Sequence, residues 1–187
     1  MQILTLLGSP RQRGNTEAVL RRFEARAMAA GHSIMRIDVA RQKIDGCVGC
    51  DFCQGDLADF GCAQTDDAEE ILRRILAADL IVYAAPVYCW GLPAQMKALI
   101  DRHYCMVKWE GGEVAAALMR GKKGALLLTC GGEAKTNVDL VFPMFERQMD
   151  YMRAKVAGMY ALDNCAGVNQ DAPRAEALAA RMAVELL

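Results

Sequence analysis

The sequence is short of several features that would point to particular classes of protein. Only 6% of its residues are aromatic, it has two histidines, and its formal net charge is −1. A near-zero net charge creates no overall field that would attract nucleic acid or an anionic membrane. No run of Lys and Arg with interleaved aromatic residues predicts a nucleic-acid surface, and no apolar run approaches the length of a membrane-spanning helix. We therefore expect neither nucleic-acid nor membrane partners.

Targeting signals and common catalytic motifs are also absent. The apolar segment at residues 1–7 is short, has no basic leader and precedes no small-residue cleavage site, unlike a secretory signal. We therefore expect a cytoplasmic protein whose eight cysteines stay reduced. No spacing suggests a Ser–His–Asp or Cys–His arrangement, and neither a P-loop nor a G-x-G-x-x-G fingerprint is present. The length of 187 residues predicts one domain over residues 1–187.

What the sequence does contain is a regular alternation of short apolar runs and longer amphipathic stretches. The apolar runs predict five strands, at Ile3–Leu7, Ser33–Val39, Leu80–Ala85, Lys123–Thr129 and Val156–Leu162. The amphipathic stretches predict helices at about 15–30, 66–78, 93 onwards, 138–151 and 173–187. Strands that alternate with helices predict an α/β fold with a parallel sheet covered on both faces.

The loop after the first predicted strand has a composition suited to binding an anion. It leads into the N-terminus of a helix, where free N–H groups and the helix dipole attract negative charge. Ser9, Asn15 and Thr16 offer side-chain donors, and Arg11 or Arg13 can add a charged donor. We also expect Asn15 or Thr16 to cap the helix. The alternative interpretation is a polar turn with a good cap and no ligand.

Two further loops follow strands at the same edge of the predicted sheet. Residues 86–91 contain Tyr88 and Trp90 directly after a buried strand, where flat side chains suit contact with a planar heterocycle. The alternative is that both rings pack under the next helix. Residues 129–133 contain paired glycines, which let backbone N–H groups approach a ligand closely, although a simple turn would also use them.

Together these residues resemble the NADPH-dependent FMN reductase and iron–sulfur flavoprotein families. The resemblance rests on Gly-Ser-Pro-Arg-x-x-Gly-Asn-Thr at residues 8–16 and on Pro-Val-Tyr at residues 86–88, with Lys97 and Asp101-Arg102 downstream. It covers essentially the whole chain. It implies a flavodoxin-like three-layer α/β/α sandwich whose five-stranded parallel sheet has the order 2-1-3-4-5.

The resemblance also implies a cofactor, a reaction and a set of site residues. The FMN phosphate would be held by Ser9, Arg11, Asn15 and Thr16. The isoalloxazine would lie beside Pro86, Val87, Tyr88, Cys89, Trp90 and Gly91, with its pyrimidine edge near Thr129, Cys130, Gly131, Gly132 and Glu133. The implied activity is hydride transfer from NAD(P)H to reduce a quinone, a free flavin or another small acceptor, by a homodimer or homotetramer. Two other classes stay open, namely a non-enzymatic electron carrier like flavodoxin and a phosphate-ligand binding module.

A cluster of cysteines lies in the polar connection between the second strand and the second helix. Cys47, Cys50, Cys53 and Cys62 form C-x2-C-x2-C-x8-C, and C-x2-C-x2-C is typical of iron–sulfur ligation. The resemblance implies a [4Fe–4S] cluster on these four residues, although the gap before the last cysteine is longer than in relatives. A zinc site and a segment without metal are the alternatives. With the cluster, one-electron exchange with a redox protein would be the preferred reaction.

Several other residues receive structural interpretations. Cys105 and Cys165 are predicted to be buried structural thiols, and His103, near a helix end, is expected to be structural. The segment around Trp109 and Gly111 is predicted to be either a flexible flap over the site or a simple surface excursion.

Overall fold

The computed structural model describes all residues from 1 to 187. Its seven strands are β1 (Gln2–Leu7), β2 (Ser33–Ile37), β3 (Leu80–Pro86), β4 (Val107–Glu110), β5 (Glu113–Ala117), β6 (Lys123–Thr129) and β7 (Lys155–Leu162). Five of them form a parallel sheet in the order β2-β1-β3-β6-β7. Counted within that sheet, the order is 2-1-3-4-5, in agreement with the expected topology.

Five helices cover the two faces of this sheet. They are α1 (Asn15–Ala29), α2 (Ala68–Ala77), α3 (Ala94–Arg102), α4 (Val141–Tyr151) and α5 (Ala172–Leu186). Alternate residues of β1 enter different cores, since Ile3 packs with α1 and α5 whereas Leu4 packs with the other three helices. This alternation follows from the two-residue period of a strand and gives a three-layer α/β/α sandwich.

The two short strands form an element that the sequence did not predict. β4 and β5 pair in an antiparallel hairpin, and its turn contains Gly111 and Gly112, both with positive φ, as tight hairpin turns require. Val107 is buried, and the Trp109 ring stacks on Tyr151 with centroids 6.1 Å apart. The segment predicted to be a flexible flap or a simple surface excursion is therefore a regular hairpin, and the choice between those two roles stays a prediction.

None of the helices combines the length and the apolar character that crossing a bilayer would require.

Candidate cofactor site

A cavity of about 640 Å³ opens where the loops after β1, β3, β6 and β7 meet. Its volume falls within the range of about 300–1,000 Å³ that small-molecule sites occupy. Parallel strands end at the same edge of the sheet, and the order reverses between β1 and β3, where ligands of open α/β sheets bind. The lining residues are Ser9, Arg11, Gln12, Arg13, Gly14, Asn15, Thr16, Pro86, Val87, Tyr88, Thr129, Cys130, Gly131, Cys165, Ala166, Gly167 and Val168.

The loop after β1 brings unpaired positive charge to an open helix end. Gly14 occupies the N-cap position of α1 and no side chain caps the helix, so the prediction that Asn15 or Thr16 would cap it was wrong. The first N–H groups of a helix lack partners within it and attract anions. Arg11 and Arg13 are exposed, and neither forms an ion pair. This end of the cavity is therefore suited to a negatively charged ligand group.

The side chains expected to cap α1 instead tie neighbouring loops together. The Thr16 hydroxyl lies 2.7 Å from the Thr129 hydroxyl, and both are buried. The Asn15 amide donates to the Asp171 carboxylate at 3.1 Å. Asp171, only 3% exposed, also accepts the Gly167 N–H. These bonds fix the loops after β1, β6 and β7 relative to one another before any ligand is present.

The loop after β3 is a tight turn with unusual backbone geometry. Tyr88 and Gly91 exchange two backbone hydrogen bonds of 2.9 Å, and the two residues between them, Cys89 and Trp90, have φ of 48° and 58°. Positive φ at two consecutive non-glycine residues is costly and occurs preferentially at functional sites. The turn leaves Tyr88 in the cavity lining, whereas Trp90 is 61% exposed and donates to the carbonyl of Thr136.

Ten of the fifteen residues predicted to contact a cofactor line this cavity, and five do not. Those outside its lining are Cys89, Trp90, Gly91, Gly132 and Glu133. Cys89, Trp90 and Gly91 belong to the tight turn after β3, in which Trp90 is exposed to solvent. The carbonyl of Gly132, which lies outside the lining, accepts hydrogen bonds from the Asn164 N–H and the Cys130 thiol. Burial raises the pKa of that thiol, which therefore stays protonated.

The cavity also includes a loop that sequence reasoning missed. Residues 165–168, after β7, form part of its wall. The sequence did contain a signal for this loop, because the last strand of a parallel sheet ends at the same edge as the others and a glycine follows at position 167.

The predicted cysteine cluster converges on a second, much smaller cavity. Its volume is about 20 Å³, and its lining includes Cys47, Cys50, Cys53, Cys62 and also Cys105. We call this the cysteine cavity. No three His, Cys, Asp or Glu side chains lie close enough together to hold a metal ion, so the sulfur positions support neither the zinc alternative nor a cluster. The [4Fe–4S] cluster accordingly stays a prediction.

Two buried cations hold the cysteine-bearing segment against the protein. Arg102 donates to the carbonyl of Asp45 at 3.0 Å and to the Asp66 carboxylate at 2.7 Å. Burial alone would raise the pKa of Asp66, but this ion pair and further hydrogen bonds lower it. Lys108, fully buried, donates to the carbonyls of Cys53 and Phe60.

His103 lines neither cavity, in agreement with its structural interpretation. It is 1% exposed, and its ring contacts the Tyr83 hydroxyl and the carbonyl of Leu99. Cys105 is likewise buried, and burial raises its pKa to about 12.

Comparison with known proteins gives consistent matches. The pattern of the family described as NADPH-dependent FMN reductase matches residues 1–157. An iron–sulfur flavoprotein of Archaeoglobus fulgidus is 35% identical over 102 residues, which cover 54% of this chain and 45% of that protein. An FMN-dependent NADH:quinone oxidoreductase of Thiobacillus denitrificans is 30% identical over 88 residues, which cover 46% of this chain and 43% of that protein. The chain spans about half the length of the curated relatives it matches.

Solved structures match over nearly the whole chain. An NAD(P)H:quinone oxidoreductase from Methanothermobacter marburgensis superposes with a TM-score of 0.71 at 20% identity, covering 96% of this chain and 97% of that one. At this level of identity the similarity shows a shared flavodoxin-like fold.

Proposed function

The chain belongs to the NADPH-dependent FMN reductase family, and on that premise we propose that it is an FMN-dependent oxidoreductase. It takes a hydride from NAD(P)H and reduces a quinone, a free flavin or another small acceptor. The observation that carries this proposal is the 640 Å³ cavity, whose lining combines two unpaired arginines, an uncapped helix end and an aromatic side chain. We further propose a homodimer or homotetramer, whose mass light scattering would measure.

The phosphate end of the ligand would lie at the loop after β1. Arg11 supplies charge, and the first N–H groups of α1 supply donors. Ser9 stabilises the loop itself, because its hydroxyl accepts the Arg11 N–H at 3.3 Å. Asn15 and Thr16 would contribute their backbone N–H groups, because their side chains already hold Asp171 and Thr129.

The ring end of the ligand would lie between the loops after β3 and β6. Bound FMN supplies a hydride acceptor at its N5 atom and can release electrons singly. Tyr88 offers an aromatic surface, and Gly131 lets the backbone come close because it has no side chain. The protein's part in such chemistry is binding, orientation and exclusion of water, so no obligatory acid or base is assigned.

We also propose that Cys47, Cys50, Cys53 and Cys62 bind a [4Fe–4S] cluster. One observation favours it: the Nε atom of Arg102, in the wall of the cysteine cavity, is buried without a hydrogen-bond partner, and a sulfur atom would satisfy this donor. The cavity has room for about one water molecule. Loading therefore requires the exposed stretch that carries Cys47 and Cys50 to move outward. With the cluster, the acceptor would be a one-electron redox protein.

The first experiment is an anaerobic absorption spectrum of the purified protein, with iron and acid-labile sulfide assayed on the same sample. Flavin bands and steady-state oxidation of NAD(P)H are expected. Flavin without NAD(P)H oxidation would favour an electron carrier, and no flavin after addition of FMN would refute the proposal. About four iron and four sulfide per chain would support the cluster, whereas flavin without iron would leave an FMN reductase with a structural cysteine segment.

A matched pair of variants tests the phosphate end. Arg11→Ala removes a charge from the cavity wall, whereas Arg21→Ala removes a charge that is also exposed and unpaired but lies outside it. Weaker FMN binding is expected in the first variant alone, and equal affinities in both would refute this placement of the phosphate.

A further inference from the structure

Two cysteine thiols lie in the wall of the cofactor cavity, just beyond the ends of neighbouring strands. Cys130 follows β6 and Cys165 follows β7, and both residues line the cavity. Cys130 is 4% exposed, whereas Cys165 is half-buried. Neither thiol has a part in the phosphate and ring contacts proposed above.

A bulge just beyond β7 brings Cys165 beside Cys130. The Cys130 N–H donates to the carbonyl of Leu162 at 3.0 Å, so in a regular parallel ladder the Cys130 carbonyl would accept from the N–H of Asn164. It accepts instead from the Cys165 N–H at 3.0 Å, because Asn164 has a φ of 44° and donates to the carbonyl of Gly132. Such an extra residue redirects the side chains next to it, and bulges are common beside active sites.

This backbone pairing puts the two cysteines within reach of a disulfide bond. Neighbouring strands lie about 5 Å apart, and the Cα atoms of disulfide-bonded cysteines lie about 4.4–6.8 Å apart. At present the Cys130 thiol donates to the carbonyl of Gly132 at 3.2 Å and the Cys165 thiol to that of Leu162 at 3.3 Å. A thiol is a weak donor, so turning both sulfur atoms toward each other loses little.

The two side chains also interact electrically. Burial raises the pKa of the Cys130 thiol, and a negative charge on Cys165 would raise it further. Burial likewise raises the pKa of the Cys165 thiol, which the N–H of Cys130 partly offsets. Both thiols are therefore protonated at neutral pH, and the resting form of the pair is the dithiol.

We propose that Cys130 and Cys165 form a dithiol–disulfide site that exchanges two electrons with a flavin held in the same cavity. The proposal rests on the proposed FMN-dependent function. It adds to that function a second redox group, supplied by the chain itself, in the wall of the cavity.

The oxidation and the reduction of this pair both balance. In oxidation an S–S bond forms between the two residues, and each thiol gives up one proton and one electron. The oxidant is a small-molecule disulfide, whose own S–S bond breaks and which leaves as two thiols. In reduction the bond between Cys130 and Cys165 breaks. A hydride equivalent from NAD(P)H, passed on by way of the flavin, and one proton from solvent then yield the two thiols.

The first test maps the disulfide in purified protein without added FMN. The protein is treated with hydroxyethyl disulfide, its remaining thiols are alkylated, and it is digested with trypsin. Cleavage after Lys and Arg gives peptides 124–135 and 156–174, whose single cysteines are Cys130 and Cys165. A cross-linked pair of these two peptides, which a thiol reductant separates, is expected.

Two variants show whether the cross-link is specific. Cys165→Ser is expected to lose it. Cys89→Ser is expected to keep it, because Cys89 is an exposed cysteine outside the cavity lining. Wild-type protein without the cross-link would overturn the inference and leave the FMN-dependent function intact.

The second test counts the NAD(P)H that FMN-loaded protein consumes without oxygen. After treatment with hydroxyethyl disulfide and removal of the reagent, the wild type is expected to consume one equivalent per chain more than Cys165→Ser. The reason is that a disulfide takes up the two electrons that one NAD(P)H carries. The cross-linked peptides should also be absent from the titrated wild type.

The outcomes of this titration separate the two proposals. Equal consumption by FMN-loaded wild type and Cys165→Ser would overturn the electron exchange alone, whereas protein that binds no FMN would overturn both proposals. Cys130→Ser removes the other sulfur atom of the pair and gives the same comparison if Cys165→Ser does not fold.

Discussion

Acidification from pH 7 to pH 5 is expected to destabilise the protein by about 2 kcal/mol through His103 alone. The ring is 1% exposed and has two fixed partners. Its Nδ1 atom lies 2.8 Å from the carbonyl of Leu99, which can only accept, so Nδ1 carries the proton. Nε2 then accepts from the Tyr83 hydroxyl at 3.0 Å. The folded state therefore holds His103 neutral.

The magnitude follows from the pKa of the buried ring. Burial lowers the pKa of His103 from 6.5 to about 4. Because the folded pKa lies below the unfolded one, the unfolded chain binds the proton first. The stabilisation that the folded state gains from a neutral His103 is complete above about pH 6.5 and is lost as the pH falls toward 4. Each pKa unit corresponds to about 1.4 kcal/mol, so the complete loss is about 3 kcal/mol.

Urea denaturation at pH 7 and pH 5 measures this effect, with His103→Asn as the comparison. The Asn amide can still donate to the Leu99 carbonyl but does not titrate in this range. The variant is expected to be less stable at pH 7, because the Tyr83 hydroxyl is left without its acceptor, and to lose much less stability on acidification. An equal loss in both proteins would refute the assignment to His103.

Three further predictions concern the cofactor cavity and the segment that leads into it. Thr16→Val and Thr129→Val are each expected to cost about 1–2 kcal/mol of unfolding free energy, because each leaves a buried hydroxyl unpaired, whereas the double variant should recover about 1 kcal/mol; additive losses in urea denaturation would contradict this. Arg11→Ala is expected to weaken FMN binding about tenfold in a fluorescence titration, with no change in Tm; unchanged affinity would contradict it. Gly8→Ala is expected to cost about 1–3 kcal/mol in thermal denaturation, because the added Cβ would lie 2.8 Å from Met96; a loss below about 0.5 kcal/mol would contradict it.

The sheet was predictable because its strands carry a strong local signal. β6 was predicted with its observed bounds, Lys123–Thr129, since the run from Ala125 to Leu128 is apolar and every residue after Lys123 is buried. The β4–β5 hairpin was not predictable in the same way. Its four- and five-residue strands are short, and the burial of Lys108 contradicts the usual preference of lysine for solvent. That burial depends on contacts with a segment about fifty residues earlier in the chain.

The cofactor loops were predictable in position but not in side-chain direction. The rule that ligands bind at the carboxyl ends of strands identified the loops after β1, β3 and β6. It did not reveal that Asn15 turns toward Asp171, which lies 156 residues away in the sequence. Nor did it reveal that Trp90 points outward, since that follows from the backbone conformation of the turn.

Backbone strain adds an argument that no sequence motif supplied. Six non-glycine residues have positive φ, and five of them lie in the loops of the two cavities or directly beside them: Arg13, Asp51, Cys89, Trp90 and Asn164. Left-handed backbone costs a residue with a Cβ atom about 1–2 kcal/mol, so it persists only where surrounding contacts or function maintain it. Arg153, by contrast, follows α4 in a helix-ending turn, in which its own N–H donates to the carbonyl of Asp150 and the Ala154 N–H donates to the carbonyl of Met149. Strain that secondary structure does not explain is thus concentrated where the proposed chemistry would occur, at the flavin loops and in the cysteine segment.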